Sequence, residues 1–356
     1  MMAHLQLASV IVQKERGNSL FQPGTGPNGG EYFLPWQELR AAFQAGGYEL
    51  NTPDVNMGRR VAFELHLNAQ RRVPVDTPCY AYQYEDPLVR PLNANRDRWL
   101  RYRKVWTWDE TLIDGQHFIE LEYPNDLIVS NTPGWDDRDL FCVMIASNKA
   151  LRFASPRSLH ERRVEIIRHF EREAPNDFNL YGRGWNIPAV RPGALGRLQK
   201  RFNEWRARSK LVSSVPPFPS WRGVANRKSD VLRRARFAIC FENSRGNKGY
   251  ITEKIFDCFT NGCVPVYAGT THSIPPIPSN CYIDADAFNS PRELRNALHA
   301  VSRSRFHNYQ NSIRDFLLDP STQRYSKHNW CNTLVSGIIA DISSGTSNET
   351  GSRTRG

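Results

Sequence analysis

The chain has no uninterrupted apolar run of the roughly 20 residues that a membrane-spanning helix requires. Its first residues, MMAHLQLASVIVQKERGNS, carry no basic stretch ahead of an apolar core, so they read as a first strand rather than a secretory signal. No G-x-x-x-x-G-K-[ST] occurs, which excludes a P-loop protein, and the nine histidines show no H-E-x-x-H and no zinc-ligand spacing. The seven cysteines include no C-x-x-C pair, and their number is odd. Most lie in apolar strand-like or helical contexts (Cys142, Cys240, Cys258, Cys263), which reads as buried free thiols in a reducing compartment. No DNA- or RNA-binding motif is present, although the net charge of +11 and the aromatic content would permit a basic nucleic-acid protein.

That charge implies an affinity for anions: polyanions, an anionic membrane surface met peripherally, or phosphorylated small molecules. It is uneven. Residues 201–236 hold ten Lys/Arg against Glu204 and Asp230. Such a run serves equally as a lid over a diphosphate or as a solvated basic face. A chain of 356 residues suggests two domains of ordinary size.

Short apolar runs alternate with helical patterns along the chain. Strand-like runs fall at 5–12, 48–50, 61–67, 79–84 and, more weakly, 117–121, with an amphipathic helix at 33–46. A second series begins with LFCVMIA at 140–146, followed by a helix at 157–173 and a strand at 178–181. Alternation of this kind argues parallel sheets. Helical patterns fill 291–342, and the Gly/Ser/Thr-rich residues 344–356 read as a disordered tail.

The most informative stretch is 237–269, FAICFENSRGNKGYITEKIFDCFTNGCVPVYAG. Its first five residues form a buried strand, ending at Glu242-Asn243-Ser244. A glycine-containing loop leads to a helix opening at Tyr250, with Ile251, Ile255, Cys258 and Phe259 on one face. Asn261-Gly262 stops that helix, and residues 263–267 form the next buried strand. Open α/β sheets bind ligands at the carboxyl ends of their strands, where this polar loop falls. The helix N-terminus favours an anion and Lys254 adds a positive charge. Glu253 suits a ribose diol, and Tyr250 offers a flat face. Together they suit a nucleotide. An isolated Glu253-Lys254 pair would equally be a solvated helix start.

The pattern FENS…YITEK…VPVYxG resembles the donor-site signature of the α1,3/α1,4-fucosyltransferases, which use GDP-fucose. The likeness extends upstream through Trp221-Arg222-Gly223-Val224, Lys228 and Val231-Leu232-Arg233-Arg234. Downstream it continues through 281–288 and Pro291-Arg292-Glu293-Leu294. It covers about 146–298, and the first part of the chain matches more weakly. The resemblance implies a GT-B fold, two Rossmann-like α/β domains facing across a cleft. Residues 1–139 would be the acceptor-side domain and 140–320 the GDP-sugar domain. A C-terminal helix at 321–343 would pack back on the first domain.

The resemblance also implies site residues. YEDPLV resembles the family's ExP segment, whose glutamate is the general base, so Glu85 is the candidate base and Asp86 the fallback. Glu85-Asp86 would otherwise begin an ordinary turn before Pro87, and Asp109 and Glu110 are further candidates. Ser147-Asn148 resembles the family's SN motif and places Asn148 at the donor. Arg163 matches a phosphate-binding arginine, with Arg162 adjacent and both open to a solvated reading. Glu242, Asn243, Tyr250, Glu253 and Lys254 complete the donor set, with Glu242 and Asn243 near the phosphates or the sugar. Two D-x-D matches, at 137–139 and 284–286, fall outside the donor signature, so neither a metal nor another cofactor is expected. Gly24-Thr25-Gly26-Pro27-Asn28-Gly29 formally matches GxGxxG, but Pro27 lies within it and it does not directly follow the first strand. It reads as an acceptor-side loop.

The activity implied is inverting transfer of L-fucose from GDP-fucose to a glycan hydroxyl, with another GDP-linked deoxysugar as the alternative. The expected partners are GDP-fucose and a glycan acceptor, not nucleic acid. Without an N-terminal anchor helix the chain resembles the soluble bacterial members, placing it in the cytoplasm or peripherally at the inner membrane.

Overall fold

Strands buried on both faces need helices above and below, and the chain supplies them in two parallel-sheet units. The computed structural model describes residues 5–12, 15–22, 33–129, 131–151, 154–187, 189–191, 193–208, 217–270 and 277–352. One unit contains Phe33–Asn125 with the strand before it and the chain from Gln323 onward; the other contains Asp126–Thr322. The division falls at Asn125 and Thr322, where the resemblance had placed it at 139 and 320. The GxGxxG match lies outside the described residues.

The first unit contains β1 (Gln6–Ile11), α1 (Leu34–Ala45), β2 (Tyr48–Asn51), β3 (Glu64–Leu67), β4 (Cys79–Gln83), α2 (Arg96–Trp99), β5 (Lys104–Thr107) and β6 (Phe118–Glu120). Its sheet runs β2-β1-β3-β4-β5-β6, parallel throughout. Strand β5, KVWT, was not anticipated: four residues with a lysine at one end give too short an apolar run to stand out. All of β4 is buried, which suits a strand in the middle of a covered sheet.

The second unit contains β7 (Leu140–Ile145), α3 (His160–Glu173), β8 (Phe178–Tyr181), α4 (Ala194–Arg208), α5 (Lys228–Leu232), β9 (Ala235–Ile239), α6 (Glu253–Thr260), β10 (Val264–Tyr267), β11 (Ile283–Asp284), α7 (Pro291–His299) and α8 (Arg303–Leu318). Its parallel sheet runs β11-β10-β9-β7-β8. Successive side chains of β7 enter opposite cores, Cys142 and Met144 on one face and Val143 on the other. Helix α6 ends in a Schellman turn: Cys263 N–H donates to the Cys258 carbonyl (3.0 Å) and Gly262 N–H to Phe259 (3.0 Å), with Gly262 at φ 62°. Arg138, in the middle of one D-x-D match, is buried and donates to the carbonyls of Leu232 (2.8 Å), Ala235 (2.5 Å) and Asn261 (2.9 Å). That triplet is therefore built around a structural arginine.

Helix α9 (Lys327–Ser352) belongs to the first unit. The Trp330 ring lies 5.2 Å from Trp36 of α1 and 5.6 Å from Tyr82 of β4. Gly337 lets the helix approach Trp106, whose ring a Cβ would meet at 2.6 Å. The helix runs through Ser352, and residues 353–356 of the expected tail lie outside the described residues. Once packing fixes the first turns, each further residue adds a hydrogen bond at little nucleation cost. Among the described residues, no helix is long and apolar enough to cross a membrane.

Gly182 ends β8 at φ 123°, where a Cβ would lie 2.0 Å from the Ala146 carbonyl oxygen. Gly182→Ala should destabilise the protein by at least about 2 kcal/mol, combining backbone strain with a clash. Gly58 has φ 77° and nothing within 4 Å of its Cβ position, so Gly58→Ala carries strain alone. Equal urea midpoints for the two variants would contradict this account.

Candidate functional site

The stretch 237–269 folds as β9, loop, α6 and β10, and its loop gathers the charged residues. Glu242, just beyond β9, is fully buried. Its Oε1 accepts the Thr252 N–H (2.9 Å) and hydroxyl (2.9 Å), and its Oε2 accepts Lys254 Nζ (2.8 Å). Lys254 Nζ also donates to Thr252 Oγ1 (2.7 Å). Burial opposes the Lys254 charge, but Glu242 and Glu253 outweigh it and hold its pKa above the ordinary lysine value. Gly269 is required beside this pair, because a Cβ there would meet Tyr267 Oη at 2.6 Å and Glu242 Cγ at 2.8 Å.

The charges alternate outward from Glu242. Glu253 opens α6 beside Lys254 and lies 4.0 Å from Lys228 Nζ, which pairs with Asp257 at 2.6 Å. Burial raises the Glu253 carboxyl, yet Lys254 and Lys228 together bring it below its ordinary value. Glu253 is thus an anion, available as a hydrogen-bond acceptor.

Arg163 joins from α3. It is buried, and its Nη2 donates to the carbonyls of Phe241 and Glu242 (2.7 Å for the latter), with Asn243 Oδ1 at 3.5 Å. Arg162 points elsewhere, to Asp286 and the Ala285 carbonyl, with its guanidinium 5.3 Å from the Phe241 ring centre. The adjacent arginines therefore separate cleanly, and only Arg163 reaches the Glu242 loop. Asn243 Nδ2 lies 3.4 Å from the Tyr250 hydroxyl.

Two placements correct the sequence reading. Tyr250 is buried, so its ring offers no open face; Ile251 and Tyr250 precede α6, which begins only at Glu253. Glu242, expected near phosphates or sugar, is enclosed by protein and pairs with Lys254. Asn148 follows β7, and its Nδ2 donates to the carbonyls of Gly184 (3.1 Å) and Ile187 (2.9 Å), so its amide nitrogen fixes that loop.

In the first unit Glu85 is half-buried past the end of β4. Its N–H donates to Asn68 Oδ1 (2.7 Å), which also accepts from Tyr84 N–H (3.0 Å) and Asn93 Nδ2 (2.8 Å). Asn68, at φ 66°, thus clamps the Glu85 turn. Asp86 is fully buried and accepts the Leu88 N–H at 2.7 Å, the role of a turn residue. Asp109 likewise caps its own turn through Thr111 (3.0 Å).

Sequence reasoning missed Asn68, Glu122 and His160. Glu122 lies just past β6, buried, with Arg324 on one oxygen (2.8 Å) and no partner on Oε2 among the described residues. Burial pushes it up to about 7 against the opposing charge of Arg324. Nothing in LEYP singles it out. His160 opens α3, is buried, and its Nδ1 has no partner among the described residues. Burial and then Arg163 push its imidazole down to about 4, with Lys149 and Lys254 adding to the effect and Glu161 opposing it.

Metal-ligand candidates are engaged in other ways. Asp284 accepts its own Asp286 N–H (2.8 Å), Asp286 pairs with Arg162, and Asp139 pairs with Arg234. Glu64, His66 and Cys79 bring three ligand atoms within 4.8 Å of one another. There the His66 ring is held by Glu64 (2.7 Å) and the Tyr102 hydroxyl (3.1 Å), and burial pushes the Cys79 thiol up to about 12. This set reads as internal packing.

The family model for glycosyltransferase family 10 (fucosyltransferase), C-terminal part, matches residues 147–336, more than half of the chain and the whole of the loop just described. The chain belongs to this family. A stretch of 92 residues is 36% identical to 4-galactosyl-N-acetylglucosaminide 3-alpha-L-fucosyltransferase 9 of Mus musculus, covering 25% of each chain. Another of 116 residues is 28% identical to Alpha-(1,3)-fucosyltransferase FucT of Helicobacter pylori, covering 30% of this chain and 23% of that one. The matches thus span about a quarter of these relatives' lengths. Among solved structures, sucrose-phosphate synthase from Thermosynechococcus elongatus superposes with a TM-score of 0.55 at 11% identity, over 96% of this chain and all of that one. An alpha-glucosyltransferase in complex with UDP gives 0.52 at 10% identity, over 94% and 99%. At such identity the likeness is one of fold, the GT-B class with two Rossmann-like domains.

The His160 environment makes a pH prediction. The unfolded chain protonates this histidine near 6.5 and the folded chain only near 4. Stability from its neutral form is therefore full above pH 6.5 and lost as pH falls toward 4. The loss reaches at most about 3 kcal/mol. In His160→Gln the urea midpoint should fall less between pH 7 and 4.5 than in the wild type. An identical fall would contradict the assignment.

Proposed function

We propose that the chain is an inverting glycosyltransferase that moves L-fucose from GDP-fucose to a hydroxyl of a glycan acceptor, in surface polysaccharide or glycolipid synthesis. The observation that carries this reading is the assembly of Lys254, Glu253 and Arg163 around buried Glu242, within the segment matched by the family model. Lys254 takes the diphosphate and Glu253 the ribose hydroxyls. Asn243, Tyr250 and Asn148 support the loops around them. Few of these groups need touch the sugar, so another GDP-linked deoxysugar is the alternative donor. The seven free cysteines support a reducing compartment, such as the cytoplasm.

In the proposed reaction the Glu85 carboxylate takes the proton of the acceptor hydroxyl as its oxygen attacks the anomeric carbon. The bond from that carbon to the β-phosphate oxygen breaks, and its electron pair leaves with GDP. The new bond forms on the opposite face, inverting the configuration. Lys254 and Arg163 stabilise the charge gathering on the diphosphate, a task that other enzymes give to a metal ion.

Glu85→Gln keeps the side chain's shape but cannot take the proton, so turnover of GDP-fucose with a glycan acceptor should fall about 10²–10⁴-fold with GDP binding intact. Asp86→Asn, altering the neighbouring turn residue, should retain most activity, and wild-type turnover should survive EDTA. Near-normal turnover by Glu85→Gln would move the base elsewhere. A rate lost in EDTA and restored by manganese would overturn the metal-free mechanism.

A further inference from the structure

Helix α4 turns its apolar side outward. Leu195 is 83% exposed, Leu198 63%, Phe202 54% and Trp205 62%. Steps of three, four and three residues place these four within an arc of about 80° at 100° per residue. The Phe202 and Trp205 rings lie 5.9 Å apart and continue the stripe. Less of Gly196 and Asn203 is exposed, and a Cβ on Gly196 would lie 1.9 Å from the Arg191 carbonyl oxygen. The side bearing Gly196 and Asn203 is thus the less exposed one. One exposed leucine is ordinary, but an aligned stripe of two leucines and two aromatics marks an interaction surface.

The charge on this helix selects the partner. Its sequence carries Arg197, Lys200, Arg201, Arg206 and Arg208 against the single acid Glu204. By helical spacing Arg201 falls at one border of the stripe. Apolar and aromatic anchors flanked by cations suit a helix lying in the plane of an anionic bilayer surface. A protein groove would need no such excess of one sign. The helix is also too short and too charged to span.

We propose that α4 is a membrane-surface helix that seats this protein on anionic lipid, with Leu195, Leu198, Phe202 and Trp205 entering the boundary between headgroups and acyl chains. Its test reads lipid binding and needs no turnover. Full-length protein is floated with vesicles of phosphatidylcholine alone or of phosphatidylcholine with one quarter phosphatidylglycerol. The wild type should bind the anionic vesicles at least about tenfold more tightly, and high salt should weaken that binding. The double variant Phe202→Glu, Trp205→Glu should lose about tenfold or more while keeping its melting temperature, because both side chains are largely exposed. Equal binding to the two vesicle types would overturn the proposal, as would undiminished binding by the variant. A wild-type dimer that the variant dissolves, without vesicle binding, would assign the stripe to a second copy of the chain and overturn it as well.

Discussion

The second unit of this protein depends on one carboxylate. Glu242 is fully buried, and a buried anion costs several kcal/mol unless its oxygens are met by donors and by an opposite charge. Here Thr252 meets it with both its backbone N–H and its hydroxyl, and Lys254 supplies the charge. Those demands explain the local sequence. Thr252 must stand next to the start of α6, Lys254 must point back toward β9, and the chain leaving β10 must have Gly269 where a side chain would displace Glu242. Arg163 then fastens α3 to the same turn through the Phe241 and Glu242 carbonyls. Two strand ends and two helices are thereby fixed around one ammonium group.

In the proposed reaction this arrangement gives Lys254 a double role: it neutralises Glu242 in the protein as it stands, and with a diphosphate it would serve two anions. The alternating series Asp257, Lys228, Glu253, Lys254, Glu242 keeps the local charge nearly balanced and holds Lys254 in place, so under the proposed function a diphosphate would meet a preorganised cation. Arg163 and His160 are close enough for their electrostatics to couple to this group: Arg163 and Lys254 both help hold the His160 imidazole in its neutral form.

Most of the second unit was legible in the sequence because its strands are short, continuous apolar runs with polar residues just beyond their carboxyl ends. FAICF followed by ENS, and VPVY followed by AG, place the carboxyl edge of the sheet without further information. The register at Arg162 and Arg163 was not legible: both suit a helix surface, and only their separate partners at Ala285 and Glu242 distinguish them. Burial was misread at Tyr250 because a tyrosine in a polar loop looks exposed until the loop folds over it. Strand β5 was too short to register. The clamp by Asn68 had no sequence signal, since it depends on a left-handed residue beyond β3 meeting a turn beyond β4. Helix α4 was not anticipated, and even its apolar spacing would not have told an inward apolar face from an outward one.

The claim that Glu242 acts by holding Lys254 is tested most directly by a double-mutant cycle read by GDP calorimetry. Lys254→Met should weaken GDP binding on the order of 1.5–3 kcal/mol, the scale of a charge-assisted contact. Glu242→Gln should weaken it less, and the double variant should be no worse than Lys254→Met alone, because both changes act through the same ammonium group. Strictly additive losses, or unchanged affinity in Lys254→Met, would contradict the account.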